Sequence, residues 1–233
     1  MGTREELKKQ KEKVSLTLIE AALKLCSEEG YSSLSLRSVA RKANIAPTSF
    51  YRHFRDIDEL GVAMVERGAI VLNEWLHQAT KKMVFLPVPN DTDASRQLMT
   101  SIEQFITPFA QSLIEMLKSH RFLLRLFFQE KTGSSEALRT SISLGMNQLS
   151  EILSEHLKKN KQKMGVRDED IPLIAETMLL IAISDSLKIL VESEDEQSED
   201  EQEIIQTRLI QKIKLFLMGA SVQKQLKQGA GDE

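Results

Sequence analysis

The segment that decides the fold spans residues 32–60 and reads SSLSLRSVARKANIAPTSFYRHFRDIDEL. It predicts two short helices joined by a tight turn. Ser35 is a natural N-cap for the first helix, because a serine hydroxyl accepts a hydrogen bond from the unpaired N–H groups of a first turn. Asn44 tolerates the left-handed backbone that the turn needs, and Pro47, with its φ already fixed, suits the first position of the second helix. The segment therefore predicts a helix-turn-helix.

The second helix carries side chains suited to nucleic acid. Phe50 and Phe54, four residues apart, are expected to face the core. The other positions hold short hydroxyls followed by Tyr, Arg and His, which are donors suited to phosphates and base edges. With one arginine of the first helix, the predicted DNA contacts are Arg37, Thr48, Ser49, Tyr51, Arg52 and His53. An ordinary surface helix pair explains any one of these residues, but not all of them at this spacing.

The distribution of charge supports a DNA-binding N-terminus. The net charge of the chain is −3. Residues 1–55 hold eleven Lys and Arg against six Glu, a net of +5, so the remaining residues carry −8. A basic head on an acidic body is expected when only the head meets phosphate. The Lys-rich start of the chain is either a solvated helix end or an arm that adds non-specific phosphate attraction.

Composition excludes several other classes of protein. The chain has 233 residues, is 41% hydrophobic with five prolines, and follows the helical period along most of its length, so an all-α protein is expected. Cys26 is the one cysteine, which excludes a disulfide framework and a cysteine zinc site. The charged N-terminus and the short apolar runs predict no signal peptide, no membrane span and a cytoplasmic location.

No catalytic motif is present in the sequence. The four histidines (His53, His77, His120 and His156) are scattered, and there is neither a Gly-rich phosphate loop nor a nucleophile elbow. We therefore expect no enzyme activity, no metal and no cofactor. Asp185, inside an apolar helix, has Lys188 one turn later as its expected partner.

Beyond the helix-turn-helix, apolar periodicity predicts seven further helices and one irregular loop. The predicted helices are residues 4–29 before it and, after it, 57–83, 98–117 with a kink at Pro108, 122–128, 135–161, 171–191 and 201–224. The loop is residues 85–95. The helices 171–191 and 201–224 are apolar on more than one face, so each must be covered on two sides. They predict a symmetric four-helix homodimer interface, with the acidic segment 192–203 as a solvated loop between them.

These motifs resemble those of a known family. Residues 35–40 (SLRSVA), 45–56 (IAPTSFYRHFRD) and the pair Glu59-Leu60 resemble the DNA-binding domain of TetR-family repressors. Residues 46–56 are similar in particular to the fatty-acid biosynthesis repressor branch, FabR and DesT. Residues 127–135 (FFQEKTGSS) are similar to an Arg-Glu-Arg-x-Gly segment of that branch, with Gln129 and Lys131 in place of the arginines.

The resemblance implies a TetR-like architecture: a three-helix helix-turn-helix DNA-binding domain, placed at residues 1–56, and a larger helical ligand-binding and dimerisation domain at 57–233. It also implies that Tyr51 and His53 contact phosphates while Thr48, Ser49 and Arg52 read bases. The expected partners are palindromic double-stranded DNA, a second copy of the chain and a small apolar ligand. In this branch that ligand is an acyl thioester of coenzyme A or acyl carrier protein.

The candidate ligand-binding residues are large apolar side chains of the predicted second domain. They are Met64, Trp75, Phe105, Phe109, Phe127 and Met146. A filled core is the better explanation of any one of them, but the resemblance favours an apolar tunnel for an acyl chain. Arg121 and Arg125 are candidates for its phosphate end, and surface salt bridges explain these two equally well. The sequence thus predicts a dimeric repressor of unsaturated fatty-acid biosynthesis. The alternatives are a repressor of an efflux or other operon induced by a small apolar compound, and a lipid-binding carrier without DNA function.

Overall fold

The computed structural model describes residues 4–85, 93–191 and 199–229, and over these ranges it is helical without strands. The nine α-helices of these ranges are α1 (Arg4–Glu29), α2 (Leu36–Lys42), α3 (Pro47–Phe50), α4 (Ile57–Lys82), α5 (Ala94–Ser119), α6 (Arg121–Gln129), α7 (Glu136–Met164), α8 (Ile171–Val191) and α9 (Glu199–Gly229). Single 3₁₀ turns lie at Tyr31–Ser33, Glu130–Thr132 and Asp168–Asp170. The all-α prediction is confirmed. No helix in the described ranges is long and apolar enough to cross a membrane.

The chain forms two compact units. The first unit contains Met1–Ile70 and Arg121–Gly145, and the second contains Val71–His120 and Met146–Glu233. The helices α4 and α7 each have residues in both units. The domain boundary predicted after residue 56 stays a prediction, because a compact unit is not necessarily a segment that folds by itself.

The helix-turn-helix of the first unit forms as its local sequence predicts. Ser35 caps α2: its Oγ accepts from the Ser38 N–H at 3.1 Å, while the Ser38 Oγ accepts from the Ser35 N–H at 3.0 Å. Asn44 has φ of 55°, the left-handed conformation expected in the turn. Pro47 occupies the first position of α3.

We call residues 47–54, the predicted second helix of the helix-turn-helix, the recognition segment. Its α-helical part is shorter than expected. The α-helix α3 is a single turn, and hydrogen-bonded turns continue from it, with the Phe54 N–H donating to the Phe50 carbonyl oxygen at 3.0 Å. Phe50 and Phe54 are both buried, as predicted, with ring centroids 5.8 Å apart. The two rings therefore fix the segment to the core of the unit.

A capping box joins the recognition segment to α4. The Glu59 N–H donates to the Asp56 Oδ1 at 2.7 Å, and the Arg55 N–H donates to the Glu59 Oε2 at 2.6 Å. The hydrogen bond from the Glu59 backbone is the main cause that lowers the pKa of Asp56. Since the carboxylates satisfy N–H groups on both sides of the helix start, the chain enters α4 in one fixed geometry.

Gly61 of α4 packs closely against Tyr31 in the first unit. The Tyr31 Oη lies 3.2 Å from both the Ile57 carbonyl oxygen and the Asp58 Oδ1, and the Ser135 Oγ donates to the same Asp58 Oδ1 at 3.1 Å. A Cβ on Gly61 would lie 2.8 Å from the Leu138 Cδ1 and 2.9 Å from the Tyr31 Cε2, and closer still to the Tyr31 Oη. Only glycine fits this contact without displacing its neighbours.

Some of the predicted helix limits and contacts are corrected by the structure. Ile70, an apolar residue within the predicted helix 57–83, is 46% exposed. The helix α7 extends to Met164, and α9 starts at Glu199, so residues 199–203 of the expected acidic loop are helical. Residues 86–92 of the expected loop 85–95, and 192–198 of the acidic segment, lie outside the described residues.

Asp185 of the second unit has two lysine partners. The expected partner Lys188 forms an ion pair at 3.9 Å, and Lys212 of α9, which was not expected, donates to the Asp185 Oδ1 at 2.6 Å. Side chains on α8 and α9 also leave large apolar surfaces exposed. These are Leu173 at 63%, Leu180 at 47%, Ile204 at 55%, Leu215 at 68% and Val222 at 49%.

Candidate nucleic-acid interface

The structure places all six predicted DNA contacts in the first unit. Arg37 is exposed on α2, Thr48 and Ser49 lie on α3, and Tyr51, Arg52 and His53 follow in the hydrogen-bonded turns. Tyr51 is 62% exposed, and Ser49 and His53 are half-buried. Arg37, Thr48 and Tyr51 do not line the cleft that the other three residues share.

That cleft has a volume of about 580 Å³ and two walls. One wall, which we call the α1 wall, is made by Leu7, Gln10, Lys11 and Val14. The opposite wall, which we call the α3 wall, is made by Ile45, Ser49, Arg52 and His53. The spacing of 7, 10, 11 and 14 corresponds to one side of a helix, so the α1 wall is a continuous surface.

His53 is held at the base of this cleft by α1. Its Nδ1 lies 3.0 Å from the Ser15 Oγ, and that hydroxyl donates to the Lys11 carbonyl oxygen at 3.1 Å. With the serine proton used by Lys11, the Nδ1 is the donor to Ser15, and the Nε2 of the neutral ring is an acceptor. Burial, followed by the charges of Lys11 and Arg52, lowers the pKa of His53 below its usual value. Protonation would convert the Nε2 into a donor suited to phosphate.

The sequence prediction missed most of the α1 wall. It treated the lysines of α1 as one group, although their surroundings differ. Lys8 lies 3.9 Å from Glu12 and Lys9 lies 3.4 Å from Glu5, both as exposed ion pairs. Lys11 instead lines the cleft. The helical spacing of Leu7, Lys11 and Val14 was the available signal, but the residue types did not show that α3 faces them.

The candidate ligand-binding residues are divided between the two units. Met64 and Phe127 belong to the first unit, and both are fully buried. In the second unit, Trp75 packs on Phe109 with centroids 5.1 Å apart and donates its Nε1–H to the Ser112 Oγ at 3.1 Å.

Also in the second unit, Phe105 stacks on Phe85 and His156, with centroids at 4.4 and 5.8 Å, and Met146 is half-buried. A filled core has the same contacts, so ligand binding by these residues stays a prediction.

The segment after α6 has a structural role in the first unit. Burial raises the pKa of Glu130, whose carboxylate occupies the position that a Cβ on Gly133 would need. Burial and the charge of Glu130 raise the pKa of Cys26 to about 12, so its thiol is protonated and unreactive. Gln129 and Lys131, which replace the arginines of similar proteins, are both exposed.

Comparison with solved structures finds the same fold in known regulators. The fatty acid degradation regulator FadR from Bacillus halodurans is 15% identical over 88% of this chain and 94% of that chain, with a TM-score of 0.59. Reduced NemR from E. coli is 16% identical over 84% and 95%, with a TM-score of 0.60. A transcriptional regulator of the TerR/AcrR family from Aquifex aeolicus VF5 is 18% identical over 87% and 99%, with a TM-score of 0.59. At these identities the likeness shows the fold alone.

The family match lies in the N-terminal segment. Residues 18–64 match the family model of bacterial regulatory proteins, tetR family. This range covers most of α1, the whole helix-turn-helix and the capped start of α4. Over this segment the chain is similar to the DNA-binding domain of the tetR family, and its fold is that of the known regulators.

Proposed function

We propose that the protein is a dimeric repressor that binds a palindromic operator through its two helix-turn-helix segments. The observation that carries the proposal is the set of exposed donors on and after α3, held by the buried rings of Phe50 and Phe54. A two-fold dimer presents two such segments to half-sites about one helical turn apart. Phosphate contacts supply most of the affinity, and base-edge contacts select the sequence.

Exposed apolar side chains on α8 and α9 support the dimer. Leu173 and Leu180 on α8, and Ile204, Leu215 and Val222 on α9, are each about half exposed or more. Two copies of this helix pair would bury these side chains in a symmetric four-helix interface. Sedimentation of the full chain should therefore show a dimer, whereas a monomer at micromolar concentration would contradict this part of the proposal.

DNA recognition is tested by selecting binding sites from a random DNA pool and comparing variants on the selected operator. Arg52→Ala should cost about 1–3 kcal/mol on the operator and relax the sequence preference, if the guanidinium reads guanine. Arg67→Ala is the matched control, because Arg67 is exposed on α4 away from the recognition segment. Equal losses on every DNA sequence would refute base reading by Arg52, and failure of the wild type to bind any DNA would refute the proposed function.

For the effector, we propose a fatty acyl thioester. Two observations support it: the resemblance of residues 46–56 and 127–135 to the fatty-acid biosynthesis repressor branch, and the fold shared with the fatty acid degradation regulator FadR. The first favours control of biosynthesis, whereas the second protein regulates degradation. The proposal therefore specifies the class of ligand and not the regulated genes. A thioester acts only if it binds the two DNA-binding geometries with different affinities.

The effector is tested by titrating saturated and unsaturated acyl-CoA into the complex with the selected operator, with free coenzyme A as the control. The two acyl-CoA species should change operator affinity by different factors. Indistinguishable curves with both, matching free coenzyme A, would sink the acyl hypothesis. A screen of apolar drug-like compounds tests the efflux alternative, and a protein that binds acyl-CoA but no DNA would be the lipid carrier.

A further inference from the structure

The α1 wall has the composition of a surface that meets a polyanion. Its residues are two apolar side chains, Leu7 and Val14, with an amide and an ammonium group between them. Across the cleft, Arg52 adds a second permanent cation and Ser49 a hydroxyl. Among the residues that the structure describes, no acidic side chain lines the cleft. The cleft is therefore electrostatically complementary to an anion.

Lys11 differs from its neighbours in its electrostatic surroundings. Lys8 and Lys9 have carboxylate partners one turn away on α1, whereas no ion pair of Lys11 exists within residues 4–85. Burial is the main cause that lowers the pKa of His53, and the charges of Lys11 and Arg52 lower it further. Two like charges near one ring repel each other, and a bound anion would relieve that repulsion.

The shape of the cleft favours a polymer over a small ligand. The rim is exposed: Leu7 is 61% exposed, and Gln10, Lys11 and Arg52 are also in the exposed class. The floor is made by the half-buried Val14, Ile45, Ser49 and His53. Small-molecule sites usually bury 70–90% of their ligand, which this open cleft cannot do. A DNA backbone needs contact on one side only, and its deoxyribose offers apolar surface to Leu7.

We propose that the α1 wall is a second side of the DNA interface, and that the cleft clasps one sugar–phosphate backbone with Lys11 as its phosphate contact. The inference rests on the proposed function, since it requires that the helix-turn-helix meets DNA. It assigns to α1 a role in holding the duplex, while the base readers stay on the recognition segment. The contact carries no sequence information, because every nucleotide presents the same phosphate.

The experiment compares Lys11→Gln with Lys13→Gln in the full chain. Both variants remove one positive charge from exposed positions of α1, but residue 13 lies about 200° around the helix from residue 11 and does not line the cleft. Affinity is measured by fluorescence anisotropy on the selected operator and on unrelated DNA, between 50 and 200 mM salt. Circular dichroism checks that both variants are folded.

Lys11→Gln should weaken binding by about sixtyfold at 0.1 M salt and reduce the slope of log K against log salt by about 1.8, the value of two phosphate contacts, one from each protomer of the proposed dimer. The loss should be equal on operator and unrelated DNA, and Lys13→Gln should retain the wild-type slope. Equal effects of the two variants, with normal binding by the wild type, would overturn the clasp and leave the proposed function intact. A wild type without DNA affinity would instead contradict the proposed function itself.

Discussion

Replacing Gly61 with alanine is the sharpest test of how α4 packs in the first unit. The new Cβ would lie 2.8 Å from the Leu138 Cδ1 and 2.9 Å from the Tyr31 Cε2, and nearer to the Tyr31 Oη. The end of Leu138 can rotate away. Tyr31 cannot, because its hydroxyl is bound to the Ile57 carbonyl and the Asp58 carboxylate at 3.2 Å and its ring is buried.

The size of the effect follows from three contributions. Overpacking of a core position costs about 1–3 kcal/mol. Displacement of the Tyr31 hydroxyl weakens its hydrogen bonding by about 1 kcal/mol per bond. Alanine is the better helix former by about 1 kcal/mol, which offsets part of the loss. The free energy of unfolding should therefore fall by about 1–4 kcal/mol.

The assay is urea unfolding followed by circular dichroism, at one protein concentration for all variants because association also affects stability. Gly219→Ala on α9 is the control, because a Cβ there meets nothing within 4 Å in the same chain, and the helix preference should stabilise it slightly. Leu215 and Val222 lie on the same face of α9, so the dimer content of this variant is measured as well. Tyr31→Phe removes the atom that is closest to the new Cβ. The double variant Tyr31→Phe/Gly61→Ala should thus be more stable than the two separate losses imply. Additive losses, or a stable Gly61→Ala, would refute the packing argument.

Two further predictions concern charged groups. His53 has a lowered pKa in the free protein, and a nearby phosphate would raise that pKa in the complex, so DNA binding takes up a proton. Operator affinity should therefore rise as the pH falls from above 7 toward the lowered pKa. Below that pKa the affinity should level off. Anisotropy titrations between pH 5.5 and 8 test this, and His53→Gln retaining the full pH dependence would assign it to another group. For Asp185, Lys212→Gln should destabilise the protein by about 1–3 kcal/mol, and by more than Lys188→Gln, because the ammonium of Lys212 is the one at 2.6 Å. Urea unfolding compares them, and a larger loss in Lys188→Gln would contradict this.

Local sequence signals predicted the helix-turn-helix because each acts on its own neighbours. The Ser35 cap, the left-handed Asn44 and the initial Pro47 depend on residues within one turn, and each takes the expected geometry. The hydrogen bonds of Asp56 and Glu59 at the start of α4 have the same local basis, because both carboxylates bind N–H groups within one turn.

Contacts between distant segments could not be predicted in this way. Asp185 pairs with Lys212, 27 positions later, in preference to Lys188, since periodicity reports which residues share a helix face and not which helix lies opposite. For the same reason, the sequence did not predict the α1 wall, although the lysines at the start of α1 were identified as possible phosphate contacts. Large apolar residues can replace one another in a core. The sequence therefore could not show whether the candidate ligand-binding residues pack against each other or bind a ligand.

The capping box between the recognition segment and α4 has a mechanical consequence. Only Arg55 and Asp56 separate the buried Phe54 from the first residue of α4. Both residues are hydrogen-bonded to Glu59 in the first turn of α4, so the connection between the recognition segment and α4 is constrained. From Ile57 to Ile70, where the first unit ends, α4 rises about 20 Å. A tilt of about 5° around that point would displace the recognition segment by about 1.7 Å, more than a base-edge hydrogen bond tolerates. If the protein binds an operator as proposed, a small rotation of one helix would be enough to change its affinity, without a large rearrangement of the fold.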